Sequence, residues 1–578
     1  MSEPNKKARV LLLLAAIFPL LTLVMISEDS VNFPFSDQWE IVPLLVKKAQ
    51  GTLTFADLFA LAHEYREFFP NLVFVYLAQV THWDVRYEMM ISFVLACAVC
   101  GNLYLLGRKT LQGRITERGV AFVLACMLIF SPVQYENWLM GQQLIFFVPI
   151  VCITTCLLIC YSEISIWKKV VLCTLLASVS SFSSANGLLC WIVVFPVLVV
   201  GTASESKKPV WVTPLWLAGF TVCVALYFYG FQRPAYLPPV TEAFKMPPIA
   251  LAYLLPLLGS PLTGNNRYLT PATVLLGLAL AAMFVLASRV YVSKSTDAAV
   301  KRGMICWVMI GAYSVATAIL VTFGRLGYGI QSSLSSRYTT FCLYLVVALI
   351  YLVTMLGGPV FNHERQRRLL TRRTLFALAG LLIILHMFAS AVSLRAVTRL
   401  KVQLRQMKAC SLFVDAIEDA CPPSDLVLLP ENLRERLHSL EQLGFLRPGL
   451  VQSKEVQNFA GSDSPQPGFG SFLQLSRQGD TFVAYGTARL PRNGEPADSV
   501  LLTYTTDEGK AILFTLAEMN YNGDILKRFL SGDPNYVFYW HKTFPKESLP
   551  AAAMSVSAWA FDTDLGKAYK LEGTQSLR

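Results

Sequence analysis

Charge is what this chain has least of. Only 15% of its 578 residues are Asp, Glu, Lys or Arg. Soluble globular proteins carry roughly 25%, so the shortage excludes an ordinary soluble enzyme over most of the length. The net charge of +11 comes without any basic groove interleaved with aromatics, which excludes nucleic acid as a partner. Short alternating apolar segments, the mark of an outer-membrane barrel, are missing from the first 390 residues. The C-terminal portion lacks a nucleophile–base constellation, zinc-type ligand spacing and a phosphate loop. It also lacks the cysteine density of a disulfide scaffold: of 13 cysteines, 11 fall in apolar segments and only Cys410 and Cys421 lie in the polar remainder.

Apolar length is what the chain has instead. It is 54% hydrophobic, with a mean hydropathy of +0.49. A bilayer core about 30 Å thick needs about 20 apolar residues as a helix. Met89–Leu106, Leu144–Tyr161, Ala272–Val290 and Leu375–Val392 approach that length. The expectation is an α-helical polytopic membrane domain of about 11 spans over 1–394, a helical linker over 395–467 and a β-rich, sandwich-like domain over 468–578.

Lysine and arginine set the predicted orientation. Lys6, Lys7 and Arg9 precede Val10–Ile26 and place the N-terminus in the cytoplasm by the positive-inside rule. Ser27-Glu28-Asp29 follows rather than a small-residue cleavage site, so the segment reads as a retained signal anchor. Every second connection is then basic: Arg108, Lys109, Arg114 and Arg118; Lys168 and Lys169; Lys207 and Lys208; Lys294, Lys301 and Arg302; and Arg365, Arg367, Arg368, Arg372 and Arg373. Eleven spans leave the C-terminal domain outside the cytoplasm. Two cysteines in an oxidising compartment admit one disulfide, and sequence separation does not show whether Cys410 and Cys421 meet.

Polar residues collect in the opposite connections. Asp37-Gln38-Trp39-Glu40 precedes Ile41–Val46, and Thr54-Phe55-Ala56-Asp57 has capping-box form. That box predicts a helix carrying His63, Glu64, Arg66 and Glu67, interrupted at Pro70. Phe68–Val80 is too short to span and reads as interfacial or re-entrant. Further along come SPVQYENWLMGQQ over Ser131–Gln143, SFSSANG over Ser181–Gly187, a long loop over Phe231–Tyr268, and GRLGYGIQSSLSSRY over Gly324–Tyr338. Arg325 and Arg337 are cations against the topology bias, which makes them functional candidates.

Five short stretches carry a resemblance: Phe35-Ser36-Asp37-Gln38-Trp39, His63-Glu64-Tyr65-Arg66, Gln134-Tyr135-Glu136-Asn137-Trp138, Asn186-Gly187 and Ser335-Ser336-Arg337-Tyr338. In this order the chain resembles bacterial members of the integral-membrane (GT-C) glycosyltransferase superfamily over its membrane portion. The resemblance implies sugar transfer from a polyprenyl-phosphate-linked donor to a glycan, lipid or protein acceptor on the outer face of the bacterial inner membrane. It casts Asp37, early in the first outer loop, as the general base. Many relatives carry two adjacent acidic residues there and this chain has Asp37-Gln38. The departure leaves open both the base and a divalent cation (Mg or Mn).

The residues suit that chemistry in their own right. An acceptor hydroxyl needs a carboxylate or imidazole to take its proton, and a departing lipid phosphate needs fixed cations, for which arginine's planar fork is apt. Asp37 with Glu40 or Glu64 supplies the first; Arg66, Arg337 and Arg325 supply the second. His63 can serve either end, and Trp39 and Trp138 can stack on sugar or prenyl chain. Plainer readings stand beside these. Asp37 and Glu40 fit a helix cap, the charges around Glu64 fit a solvated face, and Arg337, Trp39 and Trp138 fit headgroup anchors. The spans hold few ionisable groups, His386 among them, which disfavours a transporter or flippase. A polysaccharide ligase or polymerase using a lipid-linked oligosaccharide remains an alternative.

In the C-terminal portion Arg395–Cys421 and Glu431–Leu443 read as helices. Thr481–Ala488, Ser499–Thr505, Ala511–Leu516, Val537–Trp540 and Ala558–Phe561 read as strands of an antiparallel sandwich. Acceptor binding and simple packing on the membrane domain are both open for it.

Overall fold

Apolar runs become helices because a backbone in lipid must satisfy its own hydrogen bonds. The computed structural model describes residues 3–62, 64–201, 210–234, 237–357, 371–418, 420–421, 429–462, 468–519, 538–551 and 553–577. Among these, eight helical stretches are long and apolar enough to cross a membrane, from Lys7–Asp29 to Arg373–Leu412. The sequence reading of about eleven counts three more: Ile166–Ser181, Leu189–Gly201 and Val212–Phe228, with 16, 13 and 17 residues. At 1.5 Å per residue these reach about 20–26 Å, short of a full core. The chain is therefore a polytopic helical membrane protein with a β-rich C-terminal domain.

Two compact units make up the fold: Met1–Glu28, Thr54–Phe74 and Arg86–Leu394 form one, and Asp29–Leu53, Val75–Val85 and Arg395–Arg578 the other. In the first, Ser336–Leu356 is the most enclosed span, with Ala298–Tyr328 next along the chain towards the N-terminus. Small residues let helices touch. A Cβ on Gly259 would stand 2.0 Å from the Thr273 carbonyl oxygen, and one on Gly277 would stand 1.8 Å from that of Leu255. The helices Pro247–Gly259 and Thr270–Val292 thus meet backbone to backbone.

The segment after Thr54 departs from expectation. The capping box is present: Asp57 Oδ2 accepts from Thr54 N at 2.8 Å, and Thr54 Oγ1 accepts from Asp57 N at 3.3 Å. Yet the helix is only Phe55–Phe59. It does not carry Glu64 and Arg66 as predicted, because Ala60 turns extended and the chain pairs Leu61–Ala62 with Tyr65–Arg66 in a small hairpin. Arg66, in the second strand of that hairpin, is buried and bonded to the Phe59 carbonyl. Pro70 is accommodated within the first turn of Phe68–Thr81, where a missing N–H costs little.

In the second unit the 41-residue helix Arg372–Leu412 ends, so the predicted linker helix is the continuation of the last span. Beyond it lies the helix Leu433–Gln442. One eight-stranded sheet follows, in the order Ala460–Ser462, Lys567–Ser576, Ser555–Asp562, Ser499–Thr505, Ala511–Met519, Tyr539–Pro545, Thr481–Thr487 and Phe472–Gln478. Its first pair is parallel and the rest are antiparallel. Period-two patterning lets one sheet bury both faces. Leu501, Leu513, Trp559 and Phe561 pack against Leu412, Phe413 and Ala416. Val500, Leu502, Ala558 and Trp540 face a second core with Phe472 and Leu571. The sheet curls until Ser471 bridges Glu572, so a single curled sheet stands where a sandwich was expected. A disulfide joins Cys410 to Cys421, while the other cysteines are free.

Candidate active site

In the first unit the connection between the helices Ala298–Arg325 and Ser336–Leu356 gathers the charges. Arg325, the last residue of its helix, pairs with Glu64 at 2.5 Å. Its Nε donates to the Tyr338 hydroxyl at 3.2 Å. The second carboxylate oxygen of Glu64 is buried without a hydrogen-bond partner among the described residues. Arg337 pairs with Glu136 at 3.4 Å. The same Glu136 oxygen accepts from Arg337 N at 3.1 Å and Ser335 Oγ at 3.3 Å. Ser335 itself makes no side-chain cap bond, so Glu136 supplies the acceptor that the helix start needs. The four charged side chains are 18–26% exposed, buried enough to be ordered and open enough to meet a ligand.

Other predicted residues of this unit have different surroundings. Arg66 is 5% exposed, and its guanidinium donates to the carbonyls of Tyr227 (2.9 Å), Phe59 and Tyr229 while lying 4.5 Å from the Phe59 ring centre. Burial lowers its pKa, against the pull of Tyr227. Backbone carbonyls thus occupy the fork that a phosphate would need. Trp138 is fully buried, donates to the Ser131 carbonyl at 2.9 Å, and packs on Phe130 and Phe147. His63 lies outside the described residues.

Asp37, Trp39 and Glu40 belong to the second unit. Ser36 adopts φ 51°, a left-handed conformation uncommon for a residue with a side chain, and opens the 3-10 turn Ser36–Ile41. Asp37 is half-buried there and accepts from Ser36 Oγ at 3.3 Å. Gln38, rather than an acidic residue, takes the Phe35 N–H at 3.4 Å. Trp39 is buried edge-on to Phe33 at 5.4 Å. Glu40 pairs with Arg436 at 2.9 Å, and Arg436 also bonds the Trp39 carbonyl. Val42–Ala49 then begins with Pro43 in its first turn.

Sequence reasoning passed over Glu136 and Tyr338 as site residues although both stood in quoted motifs. The missing signal was pairing across about 200 positions of sequence, as in Glu136 to Arg337. Among the described residues no three His, Cys, Asp or Glu side chains gather to hold a metal ion.

No family model matches the chain and no curated protein matches it. Two solved structures of ArnT from Cupriavidus metallidurans do. The apo form is 13% identical, with 58% of this chain and 76% of that chain covered at a TM-score of 0.28. The form bound to undecaprenyl phosphate is 14% identical, with 60% and 77% covered at a TM-score of 0.27.

Proposed function

We propose that the chain transfers a sugar from a polyprenyl-phosphate-linked donor to a cell-envelope acceptor, forming a glycosidic bond outside the cytoplasm. The observation that carries this is the double arginine–glutamate arrangement on Gly324–Tyr338, between two enclosed apolar helices. Isolated cations at such a place are costly. Here each meets a carboxylate and is partly open. As the donor bond breaks, charge develops on the lipid phosphate, and oriented guanidinium groups lower the barrier most where they need not reorganise. Arg325 and Arg337 are the proposed phosphate ligands; Glu64 and Glu136 hold them. Arg66 is left out of this role because its donors are engaged by carbonyls.

Asp37 is the proposed base. The left-handed Ser36 before it stores strain of about 1–3 kcal/mol, a cost that is reasonable where a carboxylate must be aimed. The acceptor hydroxyl gives its proton to Asp37, its oxygen bonds the anomeric carbon, and the lipid phosphate leaves with the bonding pair. Support for an exported second unit comes from its Cys410–Cys421 disulfide, a bond favoured in oxidising compartments, together with the basic alternate connections. Its sheet is the proposed acceptor-binding part.

Purified protein would be given radiolabelled polyprenyl-phosphate monosaccharides and, in parallel, a lipid-linked oligosaccharide. Transfer from the former, falling about 10²–10⁴-fold in Asp37→Asn with donor still bound, is the expected result. Use of the oligosaccharide alone would favour the ligase or polymerase reading. Lipid movement across vesicles with no new glycosidic bond would overturn transfer.

A further inference from the structure

A buried polar network adjoins Arg337 and has no evident purpose as packing. Thr340 stands three residues after Arg337 on the helix Ser336–Leu356. Its hydroxyl donates to Gln134 Oε1 and accepts from Asn137 Nδ2. The same Asn137 amide donates to the Arg337 carbonyl at 2.8 Å. Gln134 in turn donates to the Ile129 carbonyl at 2.5 Å. Next to Thr340, Thr339 donates to Asn265 Oδ1 at 3.3 Å, and Asn265 Nδ2 donates to the Val133 carbonyl at 3.1 Å. Asn265 holds φ 60° to do so.

Gln134, Asn137, Thr339 and Thr340 are each at most 1% exposed. Apolar residues of similar size would bury more cheaply, and Asn137 Oδ1 is left buried with no partner. Such a cost is informative where polar groups could have been avoided. The bonds share one consequence. They tie Ser131–Trp138, which carries Glu136, to the first turn of the helix that carries Arg337.

We propose that Gln134, Asn137 and Thr340 are positioning residues that fix the Arg337–Glu136 pair for the phosphate of a lipid-linked ligand. This rests on the transfer reading above, and names how its cationic site is held. It predicts that loss of the Thr340 hydroxyl weakens phosphate binding through Arg337 and not through general loosening.

The test measures binding of a short-chain polyprenyl phosphate to detergent-solubilised full-length protein. Thr340→Val should weaken binding about threefold to tenfold, the yield of one or two net hydrogen bonds. Thr340→Ser should restore it to within about twofold, and Thr354→Val, whose hydroxyl bonds the Ile350 carbonyl of its own helix, should leave it unchanged. In an Arg337→Gln background Thr340→Val should add almost nothing, since residues acting through one another are not additive. Should Thr340→Val fail to fold, Gln134→Leu enters the same cycle. Unchanged affinity in Thr340→Val, or full additivity with Arg337→Gln, overturns the inference alone. No lipid-phosphate binding by wild type overturns the transfer reading and this inference together.

Discussion

In the C-terminal unit Arg405 meets Glu495 at 2.9 Å and Asp498 at 3.2 Å, and Lys408 meets Asp564 at 2.9 Å. In the membrane unit Arg325 meets Glu64 and Arg337 meets Glu136. The chemistry is the same and the setting differs. Asp498 also accepts from Thr563 N and Oγ1 at 2.8 and 2.7 Å, and Asp562 accepts from Asp564 N and Leu565 N at 2.9 and 3.1 Å. These carboxylates build the turn between two strands, and the side chains of Asp498, Asp562 and Lys408 are 0–3% exposed. Nothing from outside can replace their partners cheaply. The membrane pairs keep an exposed edge, with all four side chains 18–26% exposed. Full burial of Asp498 and Asp562, each locked by several donors, rather than the ion pair itself, marks the structural charge cluster.

The contrast can be broken or sharpened by experiment. Arg405→Gln strips the buried Asp498 of its cation, and an uncompensated buried charge typically costs about 3–5 kcal/mol. Denaturant unfolding of the C-terminal unit should show that loss; wild-type stability with lost transfer would erase the distinction. Cys410→Ser should cost about 2–3 kcal/mol, read as a lower melting temperature in the variant that added reductant does not lower further.

A pH titration should come next in size. Burial alone would raise the Asp564 carboxyl, but Lys408 and Arg492 outweigh it and hold it below the usual range. Burial of Glu495 is likewise outweighed by Arg405 and Lys401. Both groups therefore add stability above the ordinary carboxylate pKa, and that stability is lost as pH falls through their lower folded values. Burial raises Asp498 ahead of the attraction of Arg405, so its contribution runs the other way and fades as pH rises. With two groups against one, the unfolding midpoint should drop as pH falls below about 4. A flat profile would contradict the assignment. The smallest effect belongs to Glu40→Ala. Glu40 is half-exposed in its pair with Arg436. A pair with such an exposed carboxylate is worth about 0–1 kcal/mol, and a larger loss by the same unfolding assay would give Glu40 a role beyond that pair.

Much of the architecture was legible because it depends on length and period. The spans follow from apolar runs, and Ser499–Thr505 emerges with the bounds read from its pattern. The Phe55–Phe59 helix shows the limit. Its capping box identified the start, but the end was decided by Arg66 reaching the carbonyls of Tyr227 and Tyr229, more than 160 positions away. No local pattern records such a contact. The ion pairs of the candidate site were legible to the same degree. Arg325 and Arg337 stood out as cations against the topology bias. Their carboxylate partners, and the carbonyls that occupy Arg66, became visible only once distant segments met.

The most direct measurement is the initial rate of sugar transfer from a polyprenyl-phosphate donor by wild type, Arg337→Gln and Arg405→Gln, each normalised to folded protein. Removing one donor to a developing charge typically costs about 10²–10³-fold. That loss is expected for Arg337→Gln, with Arg405→Gln retaining the wild-type rate per folded molecule. A wild-type rate in Arg337→Gln would contradict it.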